Sequence, residues 1–203
     1  MIDLQLATLT VVKKADHIGR DEPMVWTMFI ELSLATINSR QFVIKTDPIA
    51  GKLAKAGKGD KVAIPAAVGR FQTNRTGIGL AGVVLIGFDN DLRTNNQIRD
   101  GYAAGAAALN QAIIDHFPAH GVAPIEAAEQ AEIQAKIGNA IKNAFLDDSI
   151  LLTLFGGKPV GGGSFSRTLT GGTIDEAVSL TLRAKNDRAI YRIDGRFKFQ
   201  SQG

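Results

Sequence analysis

The hydrophobic period of this chain switches from strand-like to helix-like and back again, and that switch restricts its fold more than any other feature. From Ile98 the apolar residues Ile98, Tyr102, Leu109, Ile113 and Phe117 fall at steps of four, seven, four and four, the stripe of a helix. Their surroundings are rich in alanine, which favours helix. Pro118, Gly121 and Pro124 interrupt the stripe, and Pro124 suits the first turn of a second helix. There Ile125, Ile133, Ile137, Ile141 and Phe145 lie along one face. The pattern predicts an α-helical hairpin over about residues 97–146.

On both sides of that segment the chain reads as strands. Before it the predicted strands are 4–12, 24–35, 41–45, 61–64, 68–72 and 78–88; after it they are 150–155, 165–169, 177–182 and 190–199. Ile190, Arg192, Asp194 and Arg196 alternate with Tyr191, Ile193, Gly195 and Phe197, as a half-buried strand does. Residues 156–163, rich in glycine, read as a flexible turn. The expected fold is mainly β (α+β): an antiparallel β-sandwich of about eight strands carrying the inserted hairpin, as one domain over residues 1–203.

A chain of 203 residues can bury a core without disulfides or a structural metal. It has no cysteine, which excludes disulfide frameworks, thiolate zinc sites and cysteine nucleophiles. No run reaches the ~18 apolar residues of a membrane span. Met1, Ile2, Asp3 and Leu4 open the sequence without the basic start of a signal peptide, so the expected location is the cytoplasm, or outside the cell by a leaderless route. The formal net charge is +3. Lys52, Lys55, Lys58 and Lys61 form the densest basic stretch, with no aromatic among them. That composition reads as a solvated turn and speaks against a nucleic-acid partner.

The most informative chemical pattern is acidic and lies where strands and helices end. Asp16, Asp21 and Glu22 occupy the first loop, Asp89 and Asp91 follow an apolar strand, and Asp147 and Asp148 follow the second predicted helix. Carboxylates from several loops can meet at one end of a sandwich. A hard cation such as Ca²⁺ takes about six to eight oxygen ligands and relieves their mutual repulsion. The alternative is turn chemistry, because Asp side chains hydrogen-bond their own local backbone. The two acidic loops resemble those of calcium-binding C2 domains, in which an early loop carries two aspartates and a later one an Asp-x-Asp pair. The resemblance implies a Ca²⁺ site with Asp16 and Asp21 as the first pair and Asp89 and Asp91 as the second. The opening segment around Asp16, Gly19, Asp21, Glu22 and Pro23 is also similar to uncharacterised bacterial β-sandwich proteins, which implies no activity.

Other motifs carry less. Gly77, Gly79 and Gly82 spell G-x-G-x-x-G but lead into a strand, where a dinucleotide site needs a helix. His116 and His120 stand four apart with Pro118 between them, which reads as a helix end. His17 beside Asp16 has no nucleophile placed with it. The functional expectation is therefore a non-enzymatic binding or toxin-like module, Ca²⁺-dependent through the acidic loops, attaching to a membrane surface, a glycan or a protein receptor. The alternatives are a structural protein that forms homo-oligomers through its hairpin or a sheet edge, and a metal-assisted hydrolase.

Overall fold

The computed structural model describes residues 1–15, 19–33, 36, 39–74, 79–89, 94–120, 158–184 and 187–201. The strands are β1 (Ile2–Lys13), β2 (Pro23–Leu32), β3 (Val43–Lys45), β4 (Lys61–Ala63), β5 (Arg70–Thr73), β6 (Gly79–Asp89), β7 (Lys158–Leu169), β8 (Thr173–Arg183) and β9 (Ile190–Gln200). A one-turn helix, Ala66–Gly69, precedes β5, and one long helix spans Asn95–His120.

The protein is mainly β, in two antiparallel sheets. The first has the order β4-β1-β9-β8, with β5 also paired to β1; the second has the order β3-β2-β6-β7. In the first sheet, Leu4, Leu6, Val178, Ile193 and Phe197 point into the core. Gln5, Thr181, Arg192 and Arg196 point to solvent, the alternation of a sheet with one wet face. A register shift between Leu6 and Thr8 interrupts that alternation in β1.

The second sheet has no wet face over β2, all ten of whose residues are buried. Val25 and Phe29 pack with Leu4, Leu85 and Phe197 in the core shared by the two sheets. Met24, Trp26, Met28 and Ile30 pack instead against Ile98, Tyr102, Leu109 and Ile113 of the long helix. This explains why β2 reads as a continuous apolar run: both its faces are covered. Each large side chain so buried stabilises the fold by roughly 1.5–3 kcal/mol.

The helix starts at a capping box. The Gln97 N–H donates to Thr94 Oγ1 (3.3 Å), and the Thr94 N–H donates to Gln97 Oε1 (3.1 Å). Polar anchors fix it on the sheet. Tyr102 Oη donates to the Thr27 carbonyl (2.8 Å) and accepts the Thr46 N–H (2.6 Å). Asn110 Oδ1 accepts the Phe42 N–H at 2.9 Å. No helix among the described residues is long and apolar enough to cross a membrane.

Some sequence expectations change, and others fall outside the described residues. The helix continues through Pro118 to His120, although proline there removes one backbone donor. The second helix of the expected hairpin and the strand at 150–155 lie outside the described residues, so one long helix is what the structure supports. Most of the glycine-rich stretch at 156–163 is strand, not turn: Gly161, Gly162 and Gly163 lie inside β7, paired with Gly87, Ile86 and Leu85. Gly161 has φ +115°, and a Cβ there would stand 2.4 Å from the Arg183 carbonyl oxygen. Glycine is required at that point because β7 and β8 touch backbone to backbone.

Candidate functional site

Two of the acidic residues singled out in the sequence meet at one end of the molecule. Asp89 closes β6 opposite Pro23, the first residue of β2. Its Oδ1 accepts the Glu22 N–H at 2.8 Å. One residue earlier, the Asp21 backbone exchanges two hydrogen bonds with Ala56, each 2.9 Å. Asp21 Oδ2 accepts the Ala15 N–H and the Tyr191 hydroxyl, also 2.9 Å each. The first loop is thereby tied to the 51–57 segment and to β9 at once.

Both carboxylates are 0% exposed. A buried carboxylate is tolerated when its oxygens accept hydrogen bonds, and these accept them from backbone and tyrosine. Their role in the described structure is bracing. Glu22 has a different place: its carboxylate is half exposed and pairs with Lys55 Nζ at 2.5 Å. That carboxylate also holds the Lys55 ammonium above its ordinary range, by hydrogen bond and then by charge. Asp21, Glu22 and Asp89 are thus neighbours, but no shared pocket of open carboxylates is formed by them. Among the described residues no group of three or more His, Cys, Asp or Glu side chains is placed to hold a metal ion. Asp16, Asp91, Asp147 and Asp148 lie outside the described residues, as does His17.

What the end presents to solvent is basic. The lysine tract folds back over the start of β2: Val25 N–H donates to the Gly51 carbonyl (2.9 Å), and Leu53 N–H to the Pro23 carbonyl (2.8 Å). Further on it meets the end of β1, where Gly59 N–H donates to the Val11 carbonyl (2.7 Å). Lys61 then pairs with Thr10, and Thr10 with Arg192 on the other side. Lys13 and Arg183 both pair with Ile190, which brings the ends of β1 and β8 to the same place.

Four acids at this end are matched to cations. Glu22 pairs with Lys55, Asp60 with Arg20, Asp187 with Arg183, and Asp194 with Arg192. Asp60 is held below the usual carboxylate range by the Gly57 N–H first and by Arg20 second. Lys13, Lys14, Lys52, Lys58, Lys61 and Arg188 have no carboxylate within ion-pair distance among the described residues. The far end differs, with Asp3 on Arg70, Glu176 on Arg167, and Asp175 on Arg196 and Lys198. Among the described residues the basic end thus carries six cations without an ion-pair partner, above the buried Asp21 and Asp89. Sequence reading placed the lysine tract in solvent, which holds, but missed its convergence with Lys13, Lys14 and Arg188. The three-residue spacing of Lys52, Lys55, Lys58 and Lys61 was the available signal.

No family model matches the chain, and neither the curated proteins nor the solved structures contain a significant match.

Proposed function

We propose that this protein is a non-enzymatic binding module, a β-sandwich with a helical insertion over about 97–146, that engages a polyanionic partner through its basic end. The observation that carries this reading is the gathering of Lys13, Lys14, Lys52, Lys58, Lys61 and Arg188 at one end without matching carboxylates among the described residues. Like charges held together cost the fold free energy through self-repulsion. Neutralisation by a partner recovers it and steers association at low salt. The buried Asp21 and Asp89 support the same reading from within, because they fix the backbone on which those cations stand.

Retention on immobilised heparin tests it. The protein should elute at elevated salt, and a variant with Lys13, Lys52, Lys58 and Lys61 changed to Gln should elute much earlier. A variant of equal charge loss at the far end, with Arg70, Arg167, Arg196 and Lys198 changed to Gln, should elute nearer to wild type. Equal shifts for the two variants would show that net charge alone is being read, and the proposal would fall.

A Ca²⁺-dependent form of this reading is favoured by one observation, the placing of Asp21, Glu22 and Asp89 side by side. It assigns Asp16, Asp21, Asp89 and Asp91 as ligands, with Glu22, Asp147 and Asp148 as outer candidates. Calorimetric titration with Ca²⁺, together with melting at millimolar Ca²⁺, decides it: a ligand that binds the native state must raise Tm. No heat and no shift would remove the cation and leave the basic end.

A further inference from the structure

We infer that the polyanion is the headgroup layer of an anionic lipid bilayer. This rests on the polyanion-binding reading above and narrows it to one partner. The first observation is Val12, which is 41% exposed and stands next to Lys13 at the end of β1. Among the described residues it is one of two exposed large apolar side chains. The other, Met1, lies at the opposite end beside Gln200. An exposed apolar side chain beside Lys13, with the preceding residue Val11 bonded to the Lys58–Lys61 turn, suits a surface that offers phosphate and carboxylate groups with hydrocarbon beneath them.

The second observation is the kind of cation. Lys13, Lys14, Lys52, Lys58 and Lys61 supply five of the six unmatched charges. Lysine is a compact, mobile point charge, suited to a fluid array of headgroups. A fixed, bidentate contact to one phosphate or guanine would call for arginine.

The third observation weighs against nucleic acid. No described aromatic side chain is exposed, so there is no platform on which a base could stack. The long helix lies flat on the second sheet through Ile98, Tyr102, Leu109 and Ile113, so it cannot enter a groove with that face.

The experiment is sedimentation of the full chain with vesicles of phosphatidylcholine alone, or of phosphatidylcholine mixed with phosphatidylserine, in low salt with EDTA. Heparin and duplex DNA are assayed in parallel. The protein should sediment with the mixed vesicles and not with phosphatidylcholine alone. Each lysine near the surface contributes about five-fold to partitioning, so changing Lys13, Lys58 and Lys61 to Gln should lower it by on the order of 100-fold. Val12→Ser should lower it several-fold while leaving heparin elution unchanged, which separates insertion from charge. All four positions are exposed, and circular dichroism checks that the variants stay folded.

Absence of sedimentation with mixed vesicles overturns the inference, as does equal sedimentation with phosphatidylcholine. Retention on heparin or DNA without vesicle binding sinks the lipid assignment and leaves the polyanion reading standing; loss of all three sinks both. Vesicle binding that appears only when Ca²⁺ replaces EDTA also overturns it, because the lysines would not then suffice.

Discussion

The Tyr191 hydroxyl donates a 2.9 Å hydrogen bond to the buried carboxylate of Asp21, across 170 positions of the chain. The same oxygen accepts the Ala15 N–H, so one side chain joins the first loop to the last strand. Removing either partner strands a buried polar group. Asp21→Ala and Tyr191→Phe should each destabilise the protein by about 1–3 kcal/mol. The double variant should lose less than the sum, with a coupling of about 0.5–3 kcal/mol, measured by urea unfolding of the four proteins. Strict additivity would mean that the hydrogen bond contributes nothing.

The long helix is held by a second buried hydroxyl. Tyr102→Phe keeps the ring against Trp26 but leaves the Thr46 N–H and the Thr27 carbonyl without that partner. A loss of about 1–3 kcal/mol is expected. Burial also pushes the Tyr102 phenol above its ordinary range. The sign follows from the unfolded chain, whose tyrosine ionises near pH ~10. Below that pH the stabilisation is complete, and it is lost as pH rises through the higher folded value. Spectrophotometric titration should show Tyr102 ionising late in the native protein, and Tyr102→Phe should remove its share of that late phase.

Acid should remove the contribution of Asp60 to the turn at 57–60. The folded Asp60 carboxyl is depressed, chiefly by the Gly57 N–H and then by Arg20. Its contribution is therefore present above the unfolded value of about 3.9 and disappears as pH falls through the lower folded one. Wild type should exceed Asp60→Asn in stability at neutral pH, and the two should converge as pH falls through the folded value. An Asp60 carboxyl resonance that titrates at or above the free-aspartate value would contradict this.

Two glycines with nearly the same dihedral separate strain from contact. Gly161 has φ +115° and the Arg183 backbone against it; Gly171 has φ +117° and nothing within 4 Å. Alanine at either position meets backbone strain of about 1–3 kcal/mol. At 161 it must also push β7 from β8, adding about 1–3 kcal/mol of overpacking. Gly161→Ala should therefore melt well below Gly171→Ala in a calorimetric comparison, and equal melting temperatures would show that the strand contact is dispensable.

What could be read from the sequence divides along physical lines. β1, β2, β6, β8 and β9 were legible because their apolar patterns are local and strong. So was the stripe of Ile98, Tyr102, Leu109 and Ile113, all buried as expected. The end of β7 was legible at 165–169, but its first half was hidden because Gly161 answers to a neighbour, Arg183, that is remote in the chain. The residue pattern also misled at Val68, expected in a strand and found in a helical turn whose carbonyl accepts the Thr27 hydroxyl. At the site, the meeting of Asp21 with Asp89 could be guessed from loops at strand ends. Their burial could not, because it depends on Tyr191 and Ala56. Nor could the basic end, whose members are brought together by pairings such as Lys61 with Thr10 and Lys13 with Ile190.

The complete enclosure of β2 has a consequence for the newly made chain. Ten residues from Pro23 to Leu32 carry one charge, Glu31, and need β6 on one side and the helix above before they leave water. Both arrive later in synthesis, so this segment must spend time as an unpaired, apolar, β-prone stretch, the kind that zips onto its own copies. Production of the protein should accordingly be limited by clumping of half-made chains rather than by weakness of the finished fold. A charge placed at Trp26 or Met28 would improve solubility on the ribosome while ruining the native packing, so relief has to come from chaperones.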